Sequence, residues 1–342
     1  MLTRPLGSSG IPASAVGFGA WTIGGWMWGG ADEAESIRAI HAFLDAGGTL
    51  IDTAPVYGFG RSEELVGKAI AGRRDKVILA TKCSMRWDLS DAQKTRAARM
   101  FSTTSDEIIA PGDAAADTFD VSIYNGRDGI REEVERSLRR LGTDVIDLYQ
   151  THWQIDSTPI AERMGALEEL RREGKIRAIG VCNATPDIIA DYRRHGTLDS
   201  DQEKYSMLDR AMDATNLPVC ARDSIAFLAY GPLAQGLLTG AADPNRQYPP
   251  GDQRRTKARY KPDNIRAVVA MLEPVRAIAA RHAATVSQVV IAWTLAQRGC
   301  SHVLCGARTA AQAIENARGG SLQLSPDELR VISAAVARYT GV

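Results

Sequence analysis

The stretch Ala15-Val16-Gly17-Phe18-Gly19-Ala20-Trp21-Thr22 decides the architecture. Its apolar start (15–18) reads as a strand, and Gly17 and Gly19 begin a G-x-G. A doubly wound sheet that binds a dinucleotide carries a third glycine three positions further on. Here that position is Thr22, so the open sheet loses its main support. Working outward, apolar runs at 49–52, 77–81, 145–151, 176–181, 225–229 and 302–305, with a more polar one at 198–202, read as strands buried on both faces. Amphipathic stretches at 32–46, 62–70, 127–141, 160–173, 186–194, 263–282 and 309–317 read as helices. Gly47-Gly48, Gly142 and Gly174 act as stops. Eight strand–helix alternations without a composition break predict an α/β chain that closes into one (β/α)8 TIM barrel over 1–342.

Additions to the barrel are expected at both ends. An N-terminal hairpin spans 2–12 and turns at Gly7-Ser8-Ser9-Gly10. Extra C-terminal helices end with one over 326–339, opened by an N-cap, a proline and a capping-box acid in Ser325-Pro326-Asp327-Glu328. Two connections, about 83–126 and about 231–262, are too long to be simple loops. Both follow strand C-termini, the rim where barrel enzymes act, and are expected to wall the site.

Composition narrows the function. Lys+Arg and Asp+Glu both number 41, so the chain lacks the basic excess of a nucleic-acid binder. The paired arginines at 73–74, 139–140, 171–172 and 193–194 fall on different helices and form no basic stripe. No apolar run approaches about 18 residues, and the N-terminus lacks a signal-peptide core, which points to a cytoplasmic protein without membrane spans. The five cysteines are odd in number and contain no C-x-x-C, so reduced buried thiols are expected. The five histidines show no metal-ligand spacing. The oligomeric state is left open by these patterns.

Four residues stand at the ends of successive strands. Asp52 and Tyr57 lie in Ile51-Asp52-Thr53-Ala54-Pro55-Val56-Tyr57-Gly58, Lys82 ends Leu79-Ala80-Thr81-Lys82, and His152 ends Leu148-Tyr149-Gln150-Thr151-His152. Singly, each has a bland role: a loop cap, a packing ring, a solvated amine, a core histidine. On one rim they make a chemical set. A free phenol is too weak an acid near neutrality, but an ammonium favours phenolate, and a carboxylate keeps the ammonium charged. Acidification by about 2–3 units, roughly 3–4 kcal/mol, is within reach of a buried pair. A neighbouring histidine can orient a carbonyl oxygen toward that acid.

In these local contexts the set resembles the aldo-keto reductases, NAD(P)H-dependent carbonyl reductases built on the same barrel. The similarity extends through Gly47-Gly48-Thr49-Leu50-Ile51-Asp52-Thr53-Ala54, the stretch 137–149, and Gly174-Lys175-Ile176-Arg177-Ala178-Ile179-Gly180-Val181-Cys182-Asn183. Stretches 202–210 and 230–240 look like the bacterial subgroup of general stress and inositol-utilisation reductases. The resemblance implies Tyr57 as general acid, Asp52 and Lys82 tuning it, and His152 orienting the substrate. It also implies cofactor contacts from Trp21, Thr22, Asn183, Gln202, Tyr230, Gly231, Leu233, Gln235, Gly236, Gly306, Arg308, Gln312, Glu315 and Asn316. NADPH is the expected cofactor, with NADH as the other candidate. Arg308 suits a phosphate, and a helix start near Thr309 offers free N–H groups. Two departures matter: Cys182 stands where the family usually has serine, and Gln312 where many members have arginine.

The expected partner is a small-molecule carbonyl compound. Trp21, Trp87 and Trp153 are expected to line its pocket. Within 83–126, Met85, Trp87, Met100, Phe101 and Phe119 either cover a hydrophobic substrate or pin the segment to the barrel. The five cations Arg254, Arg255, Lys257, Arg259 and Lys261 either clamp phosphates or form a solvated loop. The same residues also suit a sugar or polyol dehydrogenase working oxidatively. Other readings are a non-catalytic cofactor-binding regulatory subunit and a Schiff-base aldolase using Lys82.

Overall fold

In the computed structural model, which describes residues 1–104 and 118–341, the chain opens with an antiparallel hairpin, β1 (Thr3–Pro5) and β2 (Pro12–Ser14). β3 (Val16–Gly19), β4 (Leu50–Asp52) and β5 (Ile78–Cys83) follow, separated by α1 (Glu33–Asp45) and α2 (Arg61–Ile70). An excursion then forms a separate sheet from β6 (Met85–Arg86), β7 (Ala98–Thr104) and β8 (Thr118–Ile123), with the single-turn α3 (Asp91–Lys94) inside it. The alternation resumes with α4 (Arg127–Leu141), β9 (Ile146–Thr151), α5 (Ile160–Arg172), β10 (Ile176–Cys182), α6 (Pro186–His195), β11 (Ser200–Lys204), α7 (Asn216–Asp223) and β12 (Ala226–Tyr230). It ends with α8 (Pro262–Met271), α9 (Glu273–Arg281), α10 (Val286–Leu295), β13 (Cys300–Gly306), α11 (Ala310–Gly319) and α12 (Pro326–Ala337). The eight parallel strands close in the order β10-β11-β12-β13-β3-β4-β5-β9, the expected TIM barrel.

Strand alternation builds the interior in layers. Successive side chains point to opposite faces, so Leu50, Ala80, Leu148, Ala178, Leu228 and Leu304 make an apolar lower layer. Ile51, Leu79, Tyr149, Ile179, Phe227 and Val303 point outward into the helix-facing core. Leu6 and Ile11 of the hairpin plug the lower layer, each contributing about 1.5–3 kcal/mol by burial. Two residues further along β4, β5 and β9, the same inward alternation places Asp52, Lys82 and Gln150, and Gln202 of β11 meets Asp52 and Gln150 there. The apolar plug thus carries a polar layer directly on top of it.

Several expectations need correction. The stretch 83–126 is no bare loop. Its three-stranded sheet sits on the rim, with Met85 and Val121 packed beside Trp26 and Val56. The helix expected over 263–282 is two helices, because Pro274 in the first turn of α9 has no N–H and cannot continue α8. β11 begins two residues later than the apolar run suggested. The capping box of Ser325 and Glu328 forms as expected. All five cysteines are buried and free. No helix among the described residues is long and apolar enough to cross a membrane.

Candidate active site

Lys82 is completely buried, and three acceptors meet its Nζ: Asp52 Oδ2 at 2.6 Å, the Thr53 carbonyl at 3.0 Å and Tyr57 Oη at 3.2 Å. Three contacts match the three N–H donors of an ammonium. Asp52 Oδ1 accepts from Gln202 Nε2 at 2.9 Å and Gln150 Nε2 at 3.2 Å. The charge pair is therefore hydrogen-bonded on both sides, the condition under which burying two charges is tolerable. Gln150 was missed by the sequence reading. It shares its register with Lys82 and lies two residues past inward-facing Leu148, so period-two counting along β9 would have found it.

Tyr57 is not on a strand but in the turn after β4, where its N–H donates to the Ala54 carbonyl at 3.1 Å. The turn is pressed against Gly24, where a β-carbon would come within 2.6 Å of the Tyr57 carbonyl oxygen. Trp21 stacks beside the Tyr57 ring at 6.0 Å, and the His152 ring stands nearly perpendicular to it at 5.9 Å. Asp52, Tyr57, Lys82 and His152 thus converge on one point above the barrel axis.

The electrostatics overturn one expectation. Burial pushes the Tyr57 phenol up to about 12, outweighing the downward pull of the Lys82 ammonium. Burial also opposes the charge on Lys82, yet Asp52 and Tyr57 prevail and hold the amine above its usual range. For His152, burial and then the Lys82 charge push the imidazole well below its ordinary value, so it is neutral. The site holds a phenol, an ammonium and a neutral imidazole side by side.

Beside this cluster, Asn183 bridges two of its neighbours. Its Nδ2 donates to the His152 carbonyl at 2.9 Å, and its Oδ1 accepts from the Tyr230 hydroxyl at 2.9 Å. One amide hydrogen and one lone pair stay free of these bonds. Cys182 Sγ lies 3.8 Å from Gln150 Oε1. Past β12 the backbone winds through left-handed conformations at Gly231 (φ +70°), Ala234, Gln235 (φ +53°) and Gly236 (φ +100°), with Leu233 between them. Such successions turn backbone N–H groups toward an anion, and a β-carbon on Gly231 would meet nothing within 4 Å. Tyr230, this winding turn and the half-free Asn183 amide fit a nicotinamide dinucleotide.

At the far end, Thr22 Oγ1 donates to the Ala307 carbonyl at 3.2 Å, and Asn316 Nδ2 donates to the Gly306 carbonyl at 3.2 Å. Arg308 is exposed, and its guanidinium is held by the carbonyls of Trp28 (3.2 Å) and Gly30 (2.7 Å). Gln312 Oε1 accepts from the Arg308 N–H at 2.8 Å, while the Glu315 carbonyl accepts from Gln288. The N–H of Ala310, opening α11, is taken by Glu35 Oε1 at 3.3 Å. Glu35 was not anticipated, since only the tertiary fold brings α1 against α11.

On the substrate side, Trp87 packs edge-on to Phe59 at 4.9 Å, and Trp153 joins the apolar cluster around Tyr57. Met85, Trp87, Met100 and Phe101 fasten the small sheet to the rim, Phe101 stacking on Trp26 at 5.8 Å; the Phe119 side chain lies outside the described residues. In the basic segment Arg254 and Arg259 are fasteners, while Arg255, Lys257 and Lys261 are exposed. Arg254 pairs with Asp252 at 2.6 Å and lies over the Trp28 ring, and Arg259 grips Asp209 at 2.9 and 2.7 Å.

The aldo/keto reductase family model matches residues 15–337. The chain is 40% identical over 329 residues to the NADH-specific methylglyoxal reductase of Escherichia coli, covering 94% of each chain. Among solved structures, it resembles a glycerol dehydrogenase of Gluconobacter oxydans with a TM-score of 0.83 and 34% identity, covering 99% of this chain and 95% of that one. An aldo/keto reductase of Klebsiella pneumoniae in complex with NADP and acetate gives a TM-score of 0.70 at 25% identity, covering 100% and 97%. By these matches and by its barrel, the chain belongs to the aldo/keto reductase family and is an NAD(P)H-dependent oxidoreductase.

Proposed function

We propose that this enzyme reduces an aldehyde or ketone to the alcohol, with Tyr57 as the proton donor and His152 orienting the carbonyl. The observation that carries the reading is the buried ammonium of Lys82, 2.6 Å from Asp52 and 3.2 Å from the Tyr57 hydroxyl. Asn183 and Gln202 would hold the carboxamide, Tyr230 would lie against the ring, and the turn at 231–236 would follow the pyrophosphate. Gly306, Arg308, Gln312, Glu315 and Asn316 would take the adenosine end. When bound, the reduced nicotinamide supplies a hydride.

The chain's own residues do the rest. Neutral His152 offers an N–H to the carbonyl oxygen and aims it at Tyr57 Oη. Trp21, Trp153 and Trp87 shape the apolar side of the pocket and exclude water. As negative charge develops on the oxygen, Tyr57 gives up its proton, and the Lys82 ammonium stabilises the phenolate left behind. An alkoxide is about as basic as hydroxide, whose conjugate acid water has a pKa of about 15.7. Transfer from a phenol near 12 is therefore downhill by roughly 4 units, about 5 kcal/mol. A phenol pushed up by burial still suffices as the acid for reduction, and it remains protonated at neutral pH.

NADPH is the working cofactor on the strength of Arg308. One observation favours NADH instead: the Glu35 carboxylate on the Ala310 N–H puts negative charge where the adenosine ribose would lie, and no arginine replaces Gln312. The test is consumption of NADPH and of NADH over a panel of aldehydes, ketones and 2-oxoaldehydes, methylglyoxal included. Turnover of part of the panel with at least one cofactor is expected. A cofactor that binds but is consumed with no carbonyl would overturn the proposal in favour of a regulatory subunit.

A further inference from the structure

The backbone at His152 is clamped from outside the barrel. Ser84, one residue past β5, is fully buried and has a φ of +86°, a conformation that strains a residue with a β-carbon. Glycine would take it without strain. Ser84 brings an acceptor that glycine lacks: its Oγ accepts from the N–H of His152 at 3.2 Å and of Trp153 at 3.4 Å, the former also reaching the Cys83 carbonyl at 3.0 Å. Its own N–H donates to the buried carboxyl group of Glu133 on α4, Oε2 at 2.7 Å, and its carbonyl accepts from the Tyr124 N–H at 2.9 Å. The carbonyls of the same two residues are held by Asn183 at 2.9 Å and Asn125 at 3.0 Å. Every backbone polar group of 152–153 has a partner, and Ser84 supplies one for both N–H groups.

The geometry points to Ser84 as a positioning residue for His152, kept in its left-handed conformation by Glu133. This rests on the reading of His152 as the group that orients the carbonyl. Oxygen and phenol must meet within hydrogen-bond reach, and a misplacement of about 1 Å can cost about 100-fold in rate. β9 ends at Thr151, and past it the only ladder contact left to His152 is its N–H on the Cys83 carbonyl of β5 at 3.0 Å. The Ser84 hydroxyl adds a second acceptor there and carries the hold on to the Trp153 N–H, which the ladder does not reach.

Ser84→Gly is the informative variant, because glycine takes the same left-handed backbone conformation without strain and lacks the hydroxymethyl group. With the fastest carbonyl of the panel, kcat is expected to fall about 10- to 100-fold, with cofactor affinity by fluorescence titration unchanged. The His152 imidazole resonance, assigned by its disappearance in His152→Ala, should shift while the other four histidine signals stay in place. Added to His152→Ala, Ser84→Gly should cause no further loss. An unshifted His152 resonance, a wild-type kcat, or an equal loss in the His152→Ala background would each overturn the proposal. If His152→Ala is inactive while Ser84→Gly is normal, only the role of Ser84 falls. If His152→Ala is itself fully active, the reading of His152 falls first and takes this proposal with it.

Discussion

Removing either half of the Asp52–Lys82 pair should separate stability from catalysis. In Asp52→Asn the Lys82 ammonium, fully buried and 2.6 Å from its counter-charge, loses its neutralising partner. In Lys82→Met the Asp52 carboxylate keeps only the Gln150 and Gln202 amides. Breaking one side of a buried pair costs about 3–5 kcal/mol, whereas replacing both members by uncharged groups is often nearly neutral. Each single variant should therefore lose about 3–5 kcal/mol in equilibrium urea unfolding. Asp52→Asn/Lys82→Met should recover much of that, with a coupling of at least about 2 kcal/mol, within the span measured for contacting residues. Activity should not follow: both variants that carry Lys82→Met lack the positive charge 3.2 Å from the phenol, and loss of one such stabilising donor costs about 100- to 1,000-fold in kcat. Additive single effects below about 1 kcal/mol, the level of an exposed pair, would refute the reasoning. So would a stable double variant with wild-type kcat.

Three further outcomes follow from the same geometry. Tyr57, pushed up to about 12, is the acid in reduction and must be the phenolate base in oxidation. Log kcat/KM for alcohol oxidation should rise by about one per pH unit between pH 7 and 10 while reduction stays flat, since His152 and Lys82 do not titrate there; a plateau in oxidation below pH 9 would contradict this. Glu133, buried beside Ser84, is pushed up to about 8 by burial. The unfolded chain binds fewer protons than the folded one between about 4.5 and 8, so stability should decline with rising pH across that window by a few kcal/mol. Urea titrations of Glu133→Gln should show the decline flattened, and an unchanged slope would count against it. Glu35→Gln, which removes the carboxylate from the start of α11, should lower KM for NADPH several-fold and leave KM for NADH within about twofold, in line with one charge contact near a helix end.

The barrel was readable because strands buried on both faces form apolar runs, and glycine stops separated them from the helices. α10 escaped because Val286–Leu295 is buried nearly all round and shows no apolar stripe. Its signal was the capping box of Thr285 and Gln288. α7 escaped because Pro218 near its start and its eight residues read as a loop. At the site, Asp52, Tyr57, Lys82 and His152 carry recognisable chemistry at strand ends, so they could be named. Gln150 and Ser84 act by holding other groups, and Glu35 acts across the α1–α11 contact. Their roles exist only in three dimensions. The acidity of Tyr57 was misjudged for a related reason: the charge of Lys82 was visible in the sequence, but the depth of burial opposing it was not.

The most direct measurement is single-turnover reduction by Tyr57→Phe preloaded with reduced cofactor. The aromatic ring and its packing against Trp21 survive this substitution; only the proton donor goes. Cofactor affinity within about twofold of wild type, with the chemical step slowed by about 1,000-fold or more, is the predicted result, at or above the usual loss for one stabilising group. Hydride transfer at an undiminished rate would show that the proton comes from elsewhere, and the role assigned to the phenol would be withdrawn.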